Sequence, residues 1–98
     1  MNMRKLIKQA QDMREKMERD LSETVTEATV GGGLVTVKID GHKHLLGVKI
    51  EAEAMDPDDP AMLEDLIVAA FSVASNKMDE MLREKVGSLT GGAIPGLF

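Results

Sequence analysis

The sequence contains no cysteine, and this absence excludes disulfide bonds and thiolate chemistry. A reducing cytoplasm suits such a chain. It also lacks any run of about 18 apolar residues, the length that a membrane-spanning helix needs. No apolar signal-peptide segment follows the first residues, Met1-Asn2-Met3-Arg4-Lys5. We therefore expect a cytoplasmic protein that has no membrane partner.

Aromatic residues are almost absent, because Phe71 and Phe98 stand alone without any Trp or Tyr. The 98 residues make one small domain, and a small domain buries only a modest fraction of its surface. Burial of large apolar side chains must therefore come from Leu, Ile, Val and the eight Met residues. The lack of aromatic side chains also disfavours binding of single-stranded nucleic acid by base stacking.

The chain has a net charge of -5, but the charge is unevenly distributed. Residues 1–8 carry Arg4, Lys5 and Lys8 and no acidic residue. Residues 57–98 instead carry seven acidic residues against three basic ones. A protein with this balance can bind nucleic acid only through a local basic patch.

The centre of the chain predicts a three-stranded meander. Thr24 to Val30 is rich in Thr and Val, which favour strands. Gly31 to Gly33 form a turn that uses glycine's tolerance of positive φ, and Val35, Val37 and Ile39 then share one face of the central strand. Asp40-Gly41 is a hairpin signal that relies on the same tolerance. In the return strand, Leu45 breaks the alternation, and the nearby Gly47 indicates a bulge or a close approach of the backbone.

Helices are predicted on both sides of the meander. Residues 3–23 carry a narrow apolar stripe that needs a partner helix, formed by Met3, Leu6, Ala10, Met13 and Met17. A second helix is predicted from about Ala61 to Val86, with Asp58 or Asp59 as its cap and Pro60 in its first turn. Gly87 is expected to end it.

These elements predict an α+β fold of order α-β-β-β-α, with a three-stranded antiparallel meander between N- and C-terminal helices. We assign residues 1–87 to one domain and 88–98 to a flexible Gly-rich tail, which can dock through Leu97 and Phe98. The thin core, the exposed sheet edges and the narrow apolar stripes favour a homodimer. The predicted dimer core comprises Val35, Val37, Ile39, Leu46, Val48, Leu66 and Ala70.

Three segments in this order give the chain a resemblance to a known family. They are Met3 to Met13, then Gly31 to Val35 with Asp40-Gly41, and finally Met62 to Phe71 followed by Leu89-Thr90-Gly91-Gly92. The chain resembles the YbaB/EbfC family of bacterial nucleoid-associated proteins over nearly its whole length. The resemblance implies a tweezer-like homodimer, with helices as arms, that binds duplex DNA in the nucleoid with little or modest sequence preference. It also implies a role in nucleoid organisation and gene expression.

The second helix is acidic, which is unfavourable for contact with DNA. The first helix is therefore the better candidate for the DNA-contacting surface. Arg4, Lys5 and Lys8 form one patch on its first two turns and are the strongest phosphate-binding candidates. Arg14, Lys16 and Arg19 are weaker candidates, since acidic residues lie among them. Most charge clusters are merely solvated helix faces, and it is the resemblance that favours DNA binding here.

Other site chemistries have little support in the sequence. His42 and His44 with Asp40 lack a further ligand cluster, so we predict no metal and no cofactor. The adjacent acids Glu64-Asp65 and Asp79-Glu80 point in different directions from a helix and cannot converge on a substrate. The glycine triplet precedes a strand and is not followed by Lys-Ser or Lys-Thr, which excludes a phosphate loop. We therefore expect neither an enzyme nor a small-molecule substrate.

Two functions remain at this point. The first is a non-enzymatic DNA-binding protein of the bacterial nucleoid. The alternative is a protein-binding clamp or adaptor, in which paired Met-rich helical arms grip a partner as prefoldin-like arms do. The basic patch at the start of the first helix favours DNA, whereas the Met residues on narrow stripes allow the clamp.

Overall fold

The structure is a computed structural model that describes residues 2–90. Its first element is a helix whose surface is almost entirely exposed to solvent. Helix α1 spans Met3–Glu23, as its apolar spacing predicts. Asn2 caps its first turn, because the Asn2 Oδ1 accepts a hydrogen bond of 3.0 Å from the backbone N–H of Arg4. None of the residues in Met3–Glu23 is buried. The apolar stripe of α1 is therefore uncovered within one chain.

The predicted three-stranded antiparallel meander is confirmed. Strands β1 (Val25–Val30), β2 (Val35–Asp40) and β3 (Leu45–Ile50) form one sheet in the order β1-β2-β3. Gly31, Gly32 and Gly33 join β1 to β2 and all adopt positive φ, at 67°, 68° and 99°. The glycine triplet is required because side chains with a Cβ rarely adopt this conformation, let alone at three successive positions.

The predicted bulge in β3 is also confirmed. Lys38 pairs with Gly47 whereas Ile39 pairs with Leu45, so the register shifts and Leu46 has no partner opposite. The extra residue reverses the inward and outward alternation of β3. Leu45 and Val48 consequently both lie on the face that carries Val37 and Ile39.

The turn between β2 and β3 differs in one detail from the prediction. Its backbone hydrogen bond runs from the N–H of Lys43 to the carbonyl O of Asp40, 2.9 Å away, which confirms a β-turn around Gly41. The residue with positive φ in this turn is Lys43, at 64°, and not Gly41. The expectation that Gly41 needs positive φ is therefore wrong, and another constraint requires a glycine there.

Helix α2 spans Pro60–Thr90 after a short 3-10 helix at Ala52–Ala54. Asp59 caps it, since its Oδ1 accepts from the backbone N–H of Met62 at 3.3 Å, and Pro60 occupies the first position as predicted. The prediction that Gly87 ends the helix is wrong. Helical structure continues to Thr90, because no proline occurs in residues 88–90 and a glycine within a helix costs only about 1 kcal/mol. Most of the predicted tail, residues 91–98, lies outside the described residues.

The hydrophobic core lies between β2 and α2. Val35, Val37 and Ile39 of β2 are fully buried, and so are Ala70, Ala74 and Met78 of α2. The two alanines allow the helix to approach the sheet closely. Leu66 and Phe71 pack at the border of this core.

A charge in this core should unfold the protein. Val37→Asp would leave a buried carboxylate without a partner, so we expect the free energy of unfolding to fall by at least about 3 kcal/mol. The measurement is urea-induced unfolding followed by circular dichroism. Lys38→Asp is the control, because Lys38 is the exposed neighbour on the opposite face. Equal stability losses in both variants would contradict the assigned core face.

Candidate nucleic-acid interface

The basic patch lies on the first two turns of α1. Arg4, Lys5 and Lys8 are exposed, and no acidic residue occupies the first turn. At about 100° per residue, their three side chains project within one sector about 100° wide. Within residues 2–90, none of the three forms an ion pair. Their charges are therefore available to an anionic partner.

The basic patch and the apolar stripe lie on opposite sides of α1. At the same 100° per residue, the mean direction of the apolar stripe lies about 170° around the helix axis from the mean direction of the basic patch. The side chains of Met3, Leu6, Ile7, Met13 and Met17 are all exposed. A protein partner that covered this stripe would leave the basic patch accessible to a second ligand.

The three weaker candidates divide into two groups. Lys16 and Arg19 project on the same side of α1 as the basic patch, but one turn or more beyond Asp12, which interrupts it. Arg14 projects near the edge of the apolar stripe and lies 3.4 Å from the Glu18 carboxylate. Arg14 is therefore both turned away from the patch and paired with an acid.

A second candidate group, Asp40 with His42 and His44, forms a turn. The Asp40 Oδ1 accepts hydrogen bonds of 2.9 Å from the backbone N–H groups of both His42 and His44. Its Oδ2 lies 3.1 Å from the His44 Nδ1. No group of three or more His, Cys, Asp or Glu residues that could hold a metal ion occurs in residues 2–90. The visible role of Asp40 is to hold the backbone of this turn.

The pKa of Asp40 reflects these contacts. Burial raises the pKa, but the backbone N–H of His44, the charge of the His44 ring and the backbone N–H of His42 outweigh burial. The pKa therefore lies below its ordinary value of 3.8. The ionised carboxylate is the form that the folded turn favours.

The predicted dimer residues occupy two different environments. The structure places Val35, Val37, Ile39 and Ala70 inside the core of one chain and Leu66 at its border. Leu46 and Val48 on β3 are instead 51% and 41% exposed, as α2 covers the sheet mainly over β1 and β2. The neighbouring Leu45 is 51% exposed as well. Leu45 and Val48, which share a sheet face, and the exposed bulge residue Leu46 between them are called the β3 patch.

Sequence reasoning missed two contacts around Gly41. The backbone N–H of Gly41 donates a 2.8 Å hydrogen bond to the carbonyl O of Leu21 in α1, and Lys43 forms a 2.9 Å ion pair with Asp79 of α2. No local pattern reveals either contact, because the partners lie about 20 and 36 positions away. The Asn2 cap was detectable, since Asn is favoured immediately before a helix.

Comparisons with known proteins identify the family of this chain. The model of the YbaB/EbfC DNA-binding family matches residues 1–93. A nucleoid-associated protein of Acetivibrio thermocellus is 47% identical over 102 aligned residues, covering 99% of this chain and 90% of the relative. One of Chloroflexus aurantiacus is 42% identical, with 100% of both chains covered. The chain belongs to the YbaB/EbfC DNA-binding family.

A solved structure shares the architecture at low identity. The crystal structure of uncharacterized protein HP0035 from Helicobacter pylori matches with a TM-score of 0.72, covering 92% of this chain and 98% of that chain. With 16% identity, the match supports the fold. Within the described part of the chain, neither helix is long and apolar enough to cross a membrane.

Acid should weaken the fold through Asp40. Because its folded pKa lies below its unfolded value, the contribution of Asp40 to stability is present above the unfolded value near 3.8 and is lost as the pH falls through the lowered pKa. We expect Asp40→Asn to show a shallower loss of stability than wild type between about pH 5 and pH 2.5, measured by urea unfolding. Asp12→Asn on the exposed face of α1 should retain the wild-type slope. A wild-type slope in Asp40→Asn would refute this assignment.

Proposed function

We propose that this protein binds duplex DNA in the bacterial nucleoid, as a homodimer and with little or modest sequence preference. The observation that carries the proposal is the basic patch: Arg4, Lys5 and Lys8 project together from α1 and form no ion pair within residues 2–90. Membership of the YbaB/EbfC DNA-binding family and the nucleoid-associated relatives support DNA as the ligand.

The basic patch suits phosphates rather than base edges. Lysine and arginine neutralise backbone phosphates at any sequence, which releases counterions and makes affinity depend on salt. No aromatic residue lies on α1 to stack on bases. Contacts from these basic side chains to backbone phosphates, with no motif that reads base edges, therefore account for DNA binding with little sequence preference. Lys16 and Arg19 extend the contact along the same side of α1, whereas Arg14 contributes less because Glu18 pairs with it.

The β3 patch supports the homodimer. Val48 pairs with the buried Val37 and lies on the same sheet face, yet it remains 41% exposed because α2 passes over the other strands. A second copy that packed on this patch would complete the core and cover an edge strand. Two copies would also double the number of basic patches, and phosphate affinity increases with the number of charges neutralised.

A protein-binding clamp is the second candidate. The exposed apolar stripe of α1 favours it, because Met3, Met13 and Met17 offer adaptable apolar surface to a partner helix. The two functions use opposite sides of α1 and differ in their response to salt. DNA binding weakens steeply as salt rises, whereas apolar docking does not.

The DNA proposal predicts a specific weakening in a triple variant. Replacing Arg4, Lys5 and Lys8 with Ala should weaken binding to unrelated duplexes similarly. The slope of log affinity against log salt should become shallower by about 0.9 for each phosphate that is no longer neutralised. Fluorescence anisotropy at several salt concentrations gives both quantities, and stability should change little because exposed helix positions accept Ala.

The matched control removes three exposed cations elsewhere. Lys38, Lys49 and Lys85 changed together to Ala alter the net charge equally but leave α1 intact. If this control loses DNA binding while the α1 variant keeps it, the interface is assigned to the wrong surface. If wild type shows no salt-dependent affinity for DNA, the clamp becomes the better proposal.

The dimer proposal predicts dissociation through the β3 patch. Val48→Asp would place a charge in the interface, so sedimentation at low micromolar concentration should shift from about twice the chain mass toward the chain mass. Lys49→Asp is the control, since it adds the same carboxylate on the opposite face of β3. A monomeric wild type, or a Val48→Asp variant that stays dimeric, would exclude this interface.

A further inference from the structure

The end of α1 nearest the sheet is held by the turn between β2 and β3, residues 41–44. The carbonyl O of Leu21, in the last turn of α1, accepts the 2.8 Å hydrogen bond from the Gly41 N–H. The His42 Nε2 lies 3.4 Å from the carbonyl O of Glu18, one helical turn earlier. Side chains on α1 become partly buried only at Asp20 and Leu21, beside this contact. The turn therefore holds α1 at its C-terminal end.

The same turn is fixed to α2. The Lys43 Nζ lies 2.9 Å from the Asp79 Oδ1, and both side chains are partly shielded from solvent. The buried Asp40 carboxylate keeps the turn in shape by accepting from two of its backbone N–H groups at 2.9 Å. This turn thus connects the C-terminal end of α1 to the middle of α2.

The turn and α1 approach each other closely enough to require a glycine. A Cβ atom on Gly41 would lie 2.5 Å from the Leu21 carbonyl O and 2.9 Å from its Cα. These are backbone atoms, so a larger residue cannot be accommodated by rotating a side chain, and α1 itself would have to move. An apolar cleft of about 100 Å³, lined by Met17, Leu21, Leu82 and Val86 among others, separates α1 from α2 here and leaves room for that movement.

A small rotation of α1 beside Gly41 displaces the basic patch by a larger distance, because the patch lies at the far end of the helix. Arg4 precedes Leu21 by 17 positions, which is about 25 Å along a helix. A rotation of about 10° at Leu21 would therefore displace the basic patch by about 4 Å. Successive phosphates on one DNA strand are about 3.4 Å apart along the helix axis. The displacement is larger than this spacing and larger than a charge-assisted N–O contact of about 2.7–2.9 Å, so the cations would lose the phosphates that they contact in wild type.

We propose that Gly41 is a positioning residue for DNA binding, and that the turn it belongs to sets the angle of α1 relative to the sheet and α2. Gly41 touches no DNA in this proposal; it acts through Leu21 on the place where Arg4, Lys5 and Lys8 meet the phosphates. The inference rests on the proposed function for its effect on DNA. Its structural part, the control of the α1 angle, can be measured without DNA.

The test uses the absence of native cysteine. Cysteines introduced at the exposed positions Gln11 on α1 and Glu53 beyond β3 carry two spin labels, and pulsed electron spin resonance gives the distance between them. Dilution with excess unlabelled protein keeps each distance within one chain. We expect Gly41→Ala to shift or broaden the distance distribution by a few ångströms, as the lever predicts. Gly47→Ala is the matched control, because a Cβ there meets nothing within 4 Å.

Duplex binding is measured on the same variants without the labels. Gly41→Ala should bind DNA more weakly than wild type and with a salt slope shallower by about 0.9 for each phosphate that α1 no longer reaches, although its net charge is unchanged. Gly47→Ala should bind as wild type does. A folded Gly41→Ala variant with the wild-type distance distribution, or with a changed distance but wild-type DNA binding, overturns the proposal.

A second variant keeps the test valid if Gly41→Ala does not fold. Lys43→Gln combined with Asp79→Asn removes the ion pair to α2 without inserting an atom beside Leu21. It should broaden the distance distribution, and an unchanged distribution counts against the proposal. If wild type does not bind DNA, the proposed function fails, while the distance measurements still decide whether the turn sets the angle of α1.

Discussion

The packing of β2 against the alanine face of α2 is the interaction on which the rest of the structure depends. Val35, Val37 and Ile39 are buried beneath Ala70 and Ala74, with Met78 completing the layer. This packing places α2 over β1 and β2 and leaves β3 uncovered. It also positions the middle of α2 so that Asp79 forms its ion pair with Lys43 in the turn after β2. The surface proposed for a second copy and the support for α1 both follow from where this helix crosses the sheet.

The elements of the fold were largely predictable because their signals are local. The spacing of apolar residues identified both helices, the glycine triplet identified the first turn, and Gly47 identified the bulge. The end of α2 was not predictable from Gly87, because glycine weakens a helix without stopping it unless the chain turns there. Which part of the sheet is covered depends on the path of α2, and no single strand encodes that path.

The charged residues of the candidate site were predictable from the sequence, whereas the contacts that hold α1 in place were not. Arg4, Lys5 and Lys8 are adjacent in sequence, so helical geometry alone predicts that they share a side of α1. The role of Gly41 follows from its closeness to Leu21, which is 20 positions earlier and belongs to another element. Sequence reasoning explained this glycine by backbone conformation, whereas the structure explains it by the close approach of two backbones. Only a three-dimensional structure distinguishes these two reasons for the same residue.

The basic first turn of α1 has a consequence for the stability of that helix. The N-terminal end of a helix carries a partial positive charge, so Arg4 and Lys5 are placed where the helix dipole disfavours cations, by about 0.3–1 kcal/mol each. The Asn2 cap offsets part of this cost by accepting from the Arg4 N–H. A phosphate bound at this end would interact favourably with both the cations and the dipole. The first turn of α1 would then fray in the unbound protein and become ordered when DNA binds. Binding of the ligand would thus stabilise the end of the helix that makes the contact.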